Sequence, residues 1–415
     1  MPRSKPSLCA LLFVLVACWF AGPALAQSPK PKVRAITAFI RVEPARYQQQ
    51  VADTLKMLRA AKAEYERAGY EVESVRITTQ PFPQYIEGMT DDAALAWFRS
   101  YDELSLKESF DANIGPAMLT DSDDPHAAEL LARILSSTKN LEGSIIVARE
   151  DGIHWKAVHA AARVIKHLEE HTPHSQGNFN FTATAMLAPY GPFYPGSYHL
   201  GAGHQFSIGL ESANVVDAVF AATAGNYAEA GRRLAEELAR HAVDCERIAK
   251  RVADQTGWTY AGLDPTPAPL GKVSIGAAIE KLTGARFGSS GTLTAASVIT
   301  QAVRAVPVKQ LGYVGLMVPV LEDERLAERW SQGAYTIDSL LAYSAVCGTG
   351  LDTIPLPGDV SEEQLARILG DVASLAFKWK KPLSARLQPV AGKKPGERTE
   401  FDDPFLTNAV VQTLP

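Results

Sequence analysis

About ten stretches with the residue pattern of a β-strand lie along this chain, and helical patterns separate most of them. That alternation is the strongest constraint on the fold, because strands joined through helices assemble into a parallel or mixed sheet covered by those helices. The strand patterns include Val33–Arg41, Val72–Thr79, Ala112–Leu119, Ser144–Arg149, Asn178–Leu187, His204–Glu211, Trp258–Leu263, Tyr313–Val320 and Leu383–Val390. Helical periodicity fills Ala45–Ala68, with Gly69 placed as a C′ glycine, and then Asp91–Phe110 and Ile153–His171. Another helix opens at Asp124-Pro125. The longest stretch runs from Ala213 to Thr256 with a break near Gly225-Asn226, and Ser361 with Gln364 forms a capping box for a late helix. Cys347–Asp359 reads as a loop. Without an internal repeat or a convincing linker, residues 27–415 are expected to form one large α/β domain.

Composition narrows the classes. The 415 residues are 46% hydrophobic and 21% charged, which excludes a disordered chain. With 41 basic against 46 acidic residues, the charge of −5 argues against a nucleic-acid partner. Four cysteines are too few for a disulfide scaffold. Residues 1–26 have the form of an export signal. Arg3 and Lys5 precede the uncharged stretch Leu8 to Gly22, and Ala24-Leu25-Ala26 stands before Gln27. The expectation is a periplasmic or secreted protein with no other membrane attachment. A lipoprotein held through Cys18, in Leu15-Val16-Ala17-Cys18, and an uncleaved anchor are the alternatives.

Several motifs carry chemistry, each with a plain structural counterpart. The aromatic stretch Tyr190 to His199 suits the wall of a ligand site, with Tyr198 against substrate and His199 as acid–base; it equally suits a packed loop. Cys347, followed by Gly348 and Gly350 and then Asp352, is either a thiol exposed on a flexed loop or a buried cysteine ending a helix. Gly288-Ser289-Ser290-Gly291-Thr292 offers backbone N–H groups to an anion, or is a turn with a threonine cap. Glu322-Asp323-Glu324 either projects into a site or opens the next helix. His167, His171 and His174 read as a solvated helix end rather than a metal site. No cofactor motif is visible, and Gly348-Thr349-Gly350 fails as a dinucleotide fingerprint because it follows a helix.

Taken together, Pro265-Thr266-Pro267, Gly288 to Thr292, Pro319 to Asp323, Cys347 through Asp359, and Arg386 with Pro389 and Gly392-Lys393 resemble the uncharacterised DUF711 (UPF0210) family. The resemblance runs from about Val33 to Leu406. It departs at Tyr260, where others carry an acid, and at Asp264, where others carry a small residue. It implies a ten-stranded α/β barrel of the pyruvate formate-lyase-like type, with a loop threading the centre and a cysteine, here Cys347, on the inner loop. The C-terminal Arg-Val-x-Gly-Tyr segment of glycyl-radical enzymes is missing, so radical chemistry is not implied. The working expectation is an enzyme, a lyase or hydrolase, acting on a small polar metabolite. Cys347, His199 and Asp352 are its candidate catalytic residues, and they are expected to share one cavity. Tyr198, Gly288, Gly291, Thr292 and Arg386 are its candidate substrate-binding residues. Two other readings stand: a metal site drawn from His199, His204, Glu211, Glu322 and Asp352, and a non-catalytic periplasmic binding protein.

Overall fold

Along Leu383–Val390, Leu383, Ala385 and Leu387 pack into the main core, while Ser384 and Arg386 line a cavity and Gln388 is fully buried. The same period of two runs through Phe181–Ala185 and Gln205–Glu211: phenylalanine, isoleucine, leucine and alanine on one face, Thr182, Thr184, Ser207 and Glu211 on the other. Both faces are buried, so the polar side of these strands points into the protein and not to water.

A computed structural model describes residues 29–414. The expected export segment, residues 1–26, lies outside them. The strands are β1 Lys32–Ile40, β2 Val72–Thr79, β3 Asp111–Pro116, β4 Leu141–Arg149, β5 Gly152–Ile153, β6 Phe181–Ala185, β7 Gln205–Glu211, β8 Thr259–Asp264, β9 Gly350–Pro357 and β10 Leu383–Val390. They form one sheet in the order β8-β7-β1-β2-β3-β4-β6-β10-β9, with β5 paired to β4 alone. β1, β2, β3, β4 and β6 run parallel to one another. At each flank the direction reverses. β7 is antiparallel to β1 and parallel to β8, while β10 is antiparallel to β6 and parallel to β9. The ladder therefore has two ends, β8 and β9, and is not closed.

The helices are α1 Tyr47–Arg67, α2 Asp91–Glu108, α3 His126–Ser136, α4 Trp155–His171, α5 Ala213–Ala222, α6 Tyr227–Thr256, α7 Ile275–Thr283, α8 Thr292–Arg304, α9 Glu324–Ser331, α10 Ile337–Ser344 and α11 Glu362–Trp379. Their apolar faces and the apolar face of the sheet share one large core. The capping box expected at Ser361 and Gln364 opens α11, and Gly257 closes α6 in a left-handed cap. Among the described residues, no helix is long and apolar enough to cross a membrane.

Two expectations exchange places. Tyr313–Val320 is not a strand, and the supposed loop Cys347–Asp359 contains β9. The first failure has a side-chain cause. Asp264 accepts from the N–H groups of Tyr313 (2.7 Å) and Val314 (3.3 Å), so these amides are withdrawn from any ladder. Val314 is left with a positive φ, and Gly315 packs so close to Gly348 that a Cβ on either would lie 2.7 Å from the other's Cα. β9 was hidden by Pro355 and Pro357, which cannot donate to a ladder; it lies at the end of the sheet, where that loss is tolerated. The segment between residues 309 and 321 still reaches both ends of the ladder. Leu263 N–H donates to Lys309 O, Leu311 N–H to Leu263 O, and Val320 N–H to Asp352 O.

A candidate functional site of paired charges

The polar face of the sheet needs partners, and an irregular loop supplies many of them. Thr37 on β1 donates to Pro192 O (2.9 Å), and Asn113 on β3 donates to Pro195 O (2.7 Å). The Thr78 hydroxyl on β2 donates to Tyr194 OH (2.9 Å) and bonds Ser197 Oγ (3.0 Å). The Tyr190–His199 stretch is therefore laid across the polar face, its buried carbonyls satisfied by strand side chains. Leu187, Phe193, Ala268, Tyr313 and Met317 form a small apolar cluster of their own beside it.

Beyond that cluster a cavity of about 530 Å³ opens. Its walls come from the starts of the parallel strands (Arg34, Ser74, Arg76, Asp111, Glu142, Thr182), from β9 and β10 (Asp352, Ser384, Arg386), and from Glu322 just before α9. Seven carboxylates and four cations line it: Glu71, Glu73, Asp111, Glu142, Glu322, Asp352 and Asp403 against Arg34, Arg76, Lys139 and Arg386.

Most of these charges are paired. Arg386 Nε donates to Asp352 Oδ1 at 2.6 Å, and a terminal nitrogen of Arg386 donates to Glu322. Arg34 donates to Glu73 and Glu211, both at 3.0 Å, and lies 3.7 Å from Glu322. Burial pushes the Glu322 carboxyl above the ordinary range, against the pull of Arg386. Burial and the neighbouring Glu73 carboxylate push Glu211 up to about 8, so this pair retains a proton near neutrality. Each arginine also rests on a ring: Arg34 on Phe405, Arg76 on Tyr194 and Arg386 on Phe179, with ring centroids 5.8, 4.7 and 5.0 Å from the guanidinium carbon.

Glu142 is the exception among the acids, and the Lys139 ammonium on the same wall also has no ion pair among the described residues. The Glu142 carboxyl lines the cavity with no hydrogen bond or ion pair among the described residues. Burial pushes it up to about 8, although Arg76 and Arg386 pull the other way. A carboxylic acid that is neutral near pH 7 and faces open space can donate a proton.

The C-terminal segment covers part of this cavity. Residues 397–411 fold back on themselves through Thr399 N–H to Ala409 O and Val411 N–H to Glu397 O. The tip brings Asp403 and Phe405 to the cavity wall. It is tied down by Thr407 N–H to Leu321 O and by a bond between Asp402 N–H and Gln176.

Of the residues singled out from sequence, Asp352 and Arg386 line this cavity, and they bond to each other. Cys347, His199, Tyr198, Gly288, Gly291 and Thr292 do not line it, so the expected common cavity of Cys347, His199 and Asp352 is not assembled. Cys347 is buried as a free thiol just after α10, where Lys381 reaches in to donate to Ser344 O (2.7 Å) and Cys347 O. Among the described residues Cys245 is the other free thiol, buried in α6. His199 sits at the far end of β2, its N–H donating to Thr79 O and its Nε2 3.0 Å from Gln205 Oε1. Burial lowers its pKa to about 4. Tyr198 donates to Leu187 O at 2.8 Å. Three amides of the glycine-rich turn are used within it or beside it: Gly288 N–H donates to Thr292 Oγ1, Ser289 N–H to Arg286 O, and Thr292 N–H to Ser289 O. Gly291, not Thr292, is the N-cap of α8.

Both readings of the acidic triplet hold, on different residues. Glu322 enters the cavity, while Asp323 caps α9 and also accepts from Ile275 N–H at the start of α7. His167 and His171 stack on each other at 4.2 Å, and His171 Nδ1 lies 2.9 Å from His167 O. The pool proposed for a metal is divided between the two ends of β1 and β2, and no cluster of three ligating residues suited to a metal occurs among the described residues.

The comparisons with known proteins agree on one family. The family described as "Uncharacterised ACR (DUF711)" matches residues 25–402. A UPF0210 protein of Pyrobaculum aerophilum is 33% identical over 92% of this chain and 90% of its own length. One from Pyrobaculum arsenaticum is 30% identical over 91% and 89%. A UPF0210 protein of Bifidobacterium longum is 30% identical over 69% and 66%. A match spanning both ends of the sheet and the charged cavity places this chain plainly: it belongs to the DUF711, or UPF0210, family.

Proposed function

We propose that the protein is an enzyme that performs acid–base chemistry on a small polar or anionic metabolite held in the charged cavity, with Glu142 as the proton donor. The observation that carries this reading is the unpaired Glu142 carboxyl, raised to about 8 and facing a cavity in which neighbouring acids are held by arginines. Structural ion pairs alone do not require an unpaired acid there. Arg386, locked by Asp352 and Glu322, fixes the floor of the site, and Arg34 with Glu73 and Glu211 fixes one wall. This reading moves the chemistry away from Cys347 and His199, which do not line the cavity.

The sheet is proposed to wrap around this site as a barrel of the pyruvate formate-lyase-like type, without the radical. Support comes from residues 309–321, which bridge in parallel to β8 at Leu263–Gln310 and to β9 at Pro319–Asp352. Counted as a strand, and with the short β5 left aside, that segment makes five strands running one way and five the other. Export through residues 1–26 is part of the proposal; its mark is a mature chain that begins at Gln27.

The test is turnover. Wild-type protein and Glu142→Gln are incubated with a small-metabolite extract, and the mixture is followed by mass spectrometry. Wild type should consume at least one compound, and Glu142→Gln should do so about 10²–10⁴-fold more slowly. Retention of a compound without conversion by either protein supports a binding protein and removes the catalytic reading.

A further inference from the structure

The three buried arginines of the cavity are not equivalent. Arg34 faces Glu73, Glu211 and Glu322, and Arg386 faces Asp352 and Glu322, so each is matched by more than one carboxylate. Arg76 has one ion-pair partner, Asp111, and that carboxylate lies nearest its Nε rather than its terminal nitrogens. Its Nε donates to Ser74 Oγ at 2.8 Å and lies 3.3 Å from Asp111 Oδ2. Its guanidinium plane rests on Tyr194, whose own hydroxyl is bonded by Thr78. The side chain is therefore held from its Nε and from its face. The two terminal nitrogens have no partner among the described residues, and Arg76 lines the cavity.

Glu142, on the same wall, leaves that gap open: it is near enough to feel Arg76, yet no ion pair joins them. Two terminal N–H groups in one plane, immobilised and unpaired, match an anion that presents two oxygens. The excess of carboxylates around the rest of the cavity disfavours a highly charged anion and favours a singly charged group. We propose that Arg76 is the anchor for a carboxylate-bearing substrate, taking its two oxygens with the free terminal nitrogens beside Glu142.

This rests on the reading of the cavity as the substrate site, but binding tests it independently of turnover. The mature protein is titrated near neutral pH with lactate, malonate and inorganic phosphate, each followed by calorimetry and by the shift in melting temperature. A carboxylate probe should bind, and Arg76→Gln should weaken it about tenfold or more. Arg76→Lys keeps a charge on the same strand but loses the fork; it should fold as wild type does and still bind several-fold more weakly. Carboxylate binding unchanged in Arg76→Lys and Arg76→Gln overturns the assignment, as does phosphate binding more tightly than either carboxylate. Binding lost with Arg76 while no compound is ever converted keeps the anchor and sinks only the enzyme reading.

Discussion

The polar face of the sheet meets two different fates at its two ends. Around His199, it is covered by loop backbone and rings. Tyr190 packs edge-on to His199 with centroids 5.6 Å apart, and the imidazole is held neutral by burial. At the starts of β1–β4 and β6, the same face carries arginines and acids around open space. The first end bonds strand side chains such as Thr37 and Asn113 to loop backbone and keeps its imidazole uncharged, with His199 Nδ1 buried and without a hydrogen bond among the described residues. The second end keeps charges inside, where a hydrophobic replacement would be as stable or more so. The proposed function rests on that contrast and not on a motif.

The largest test of the contrast is Arg386→Ala. The change leaves Asp352 buried without its cation and Glu322 with Arg34 alone, and breaking such a pair costs about 3–5 kcal/mol. Chemical denaturation at neutral pH should show this loss. A loss below about 1 kcal/mol would mean that water already reaches the pair, as at exposed salt bridges.

The next effect is in pH, and the two ends should differ in sign. Glu142 titrates near its ordinary 4.5 when unfolded and at about 8 when folded. Its burial therefore brings no penalty below 4.5, and stability falls as pH rises from 4.5 to 8. His199 goes from 6.5 unfolded to about 4 folded, so its contribution is present above 6.5 and is lost as pH falls toward 4. At about 1.4 kcal/mol per pKa unit, the Glu142 contribution is on the order of 5 kcal/mol and that of His199 on the order of 3 kcal/mol. Glu142→Gln should remove the alkaline decline, and His199→Gln the acid one, in unfolding curves measured across pH. Identical pH curves for wild type and Glu142→Gln would place the Glu142 carboxyl in water.

Much of the fold was legible because it depends on local pattern. Val72–Thr79 and Leu383–Val390 were read with the bounds they have, and the break in the long helix falls where Gly225-Asn226 predicted it. What failed depended on distant partners. The Tyr313–Val320 pattern looks like a strand until Asp264, far back in sequence, takes its amides. The candidate site was legible in part, through Arg386, Asp352 and Glu322, which stand in unusual motifs. Arg76 and Glu142 were overlooked because each sits inside an ordinary strand pattern. The available signal was charge at alternate positions of strands whose other face is apolar, as in Val75-Arg76-Ile77 and Leu141-Glu142-Gly143. In a half-exposed sheet those residues face water. Only the covering of both faces turns them into buried charges.

The smallest expected effect concerns the rim of the charged end. Phe405 is 47% exposed, and its ring lies over Arg34 at the tip of the folded-back C-terminal segment. Because about half of the side chain is exposed at the surface, Phe405→Ala should change folding stability by no more than about 0.5 kcal/mol. The ring nevertheless shields one side of Arg34 and forms part of the cavity wall. Its loss should admit water and let a bound carboxylate leave several-fold faster, which stopped-flow displacement of a bound probe would measure. The deeper anchor at Arg76 stays in place, so the association rate should change less than the dissociation rate. No change in either rate would mean that ligand passes the cavity mouth away from Phe405. A stability loss above about 1 kcal/mol would make the tip part of the packed core, and the two ends of the molecule would then be more alike than the contrast between them requires.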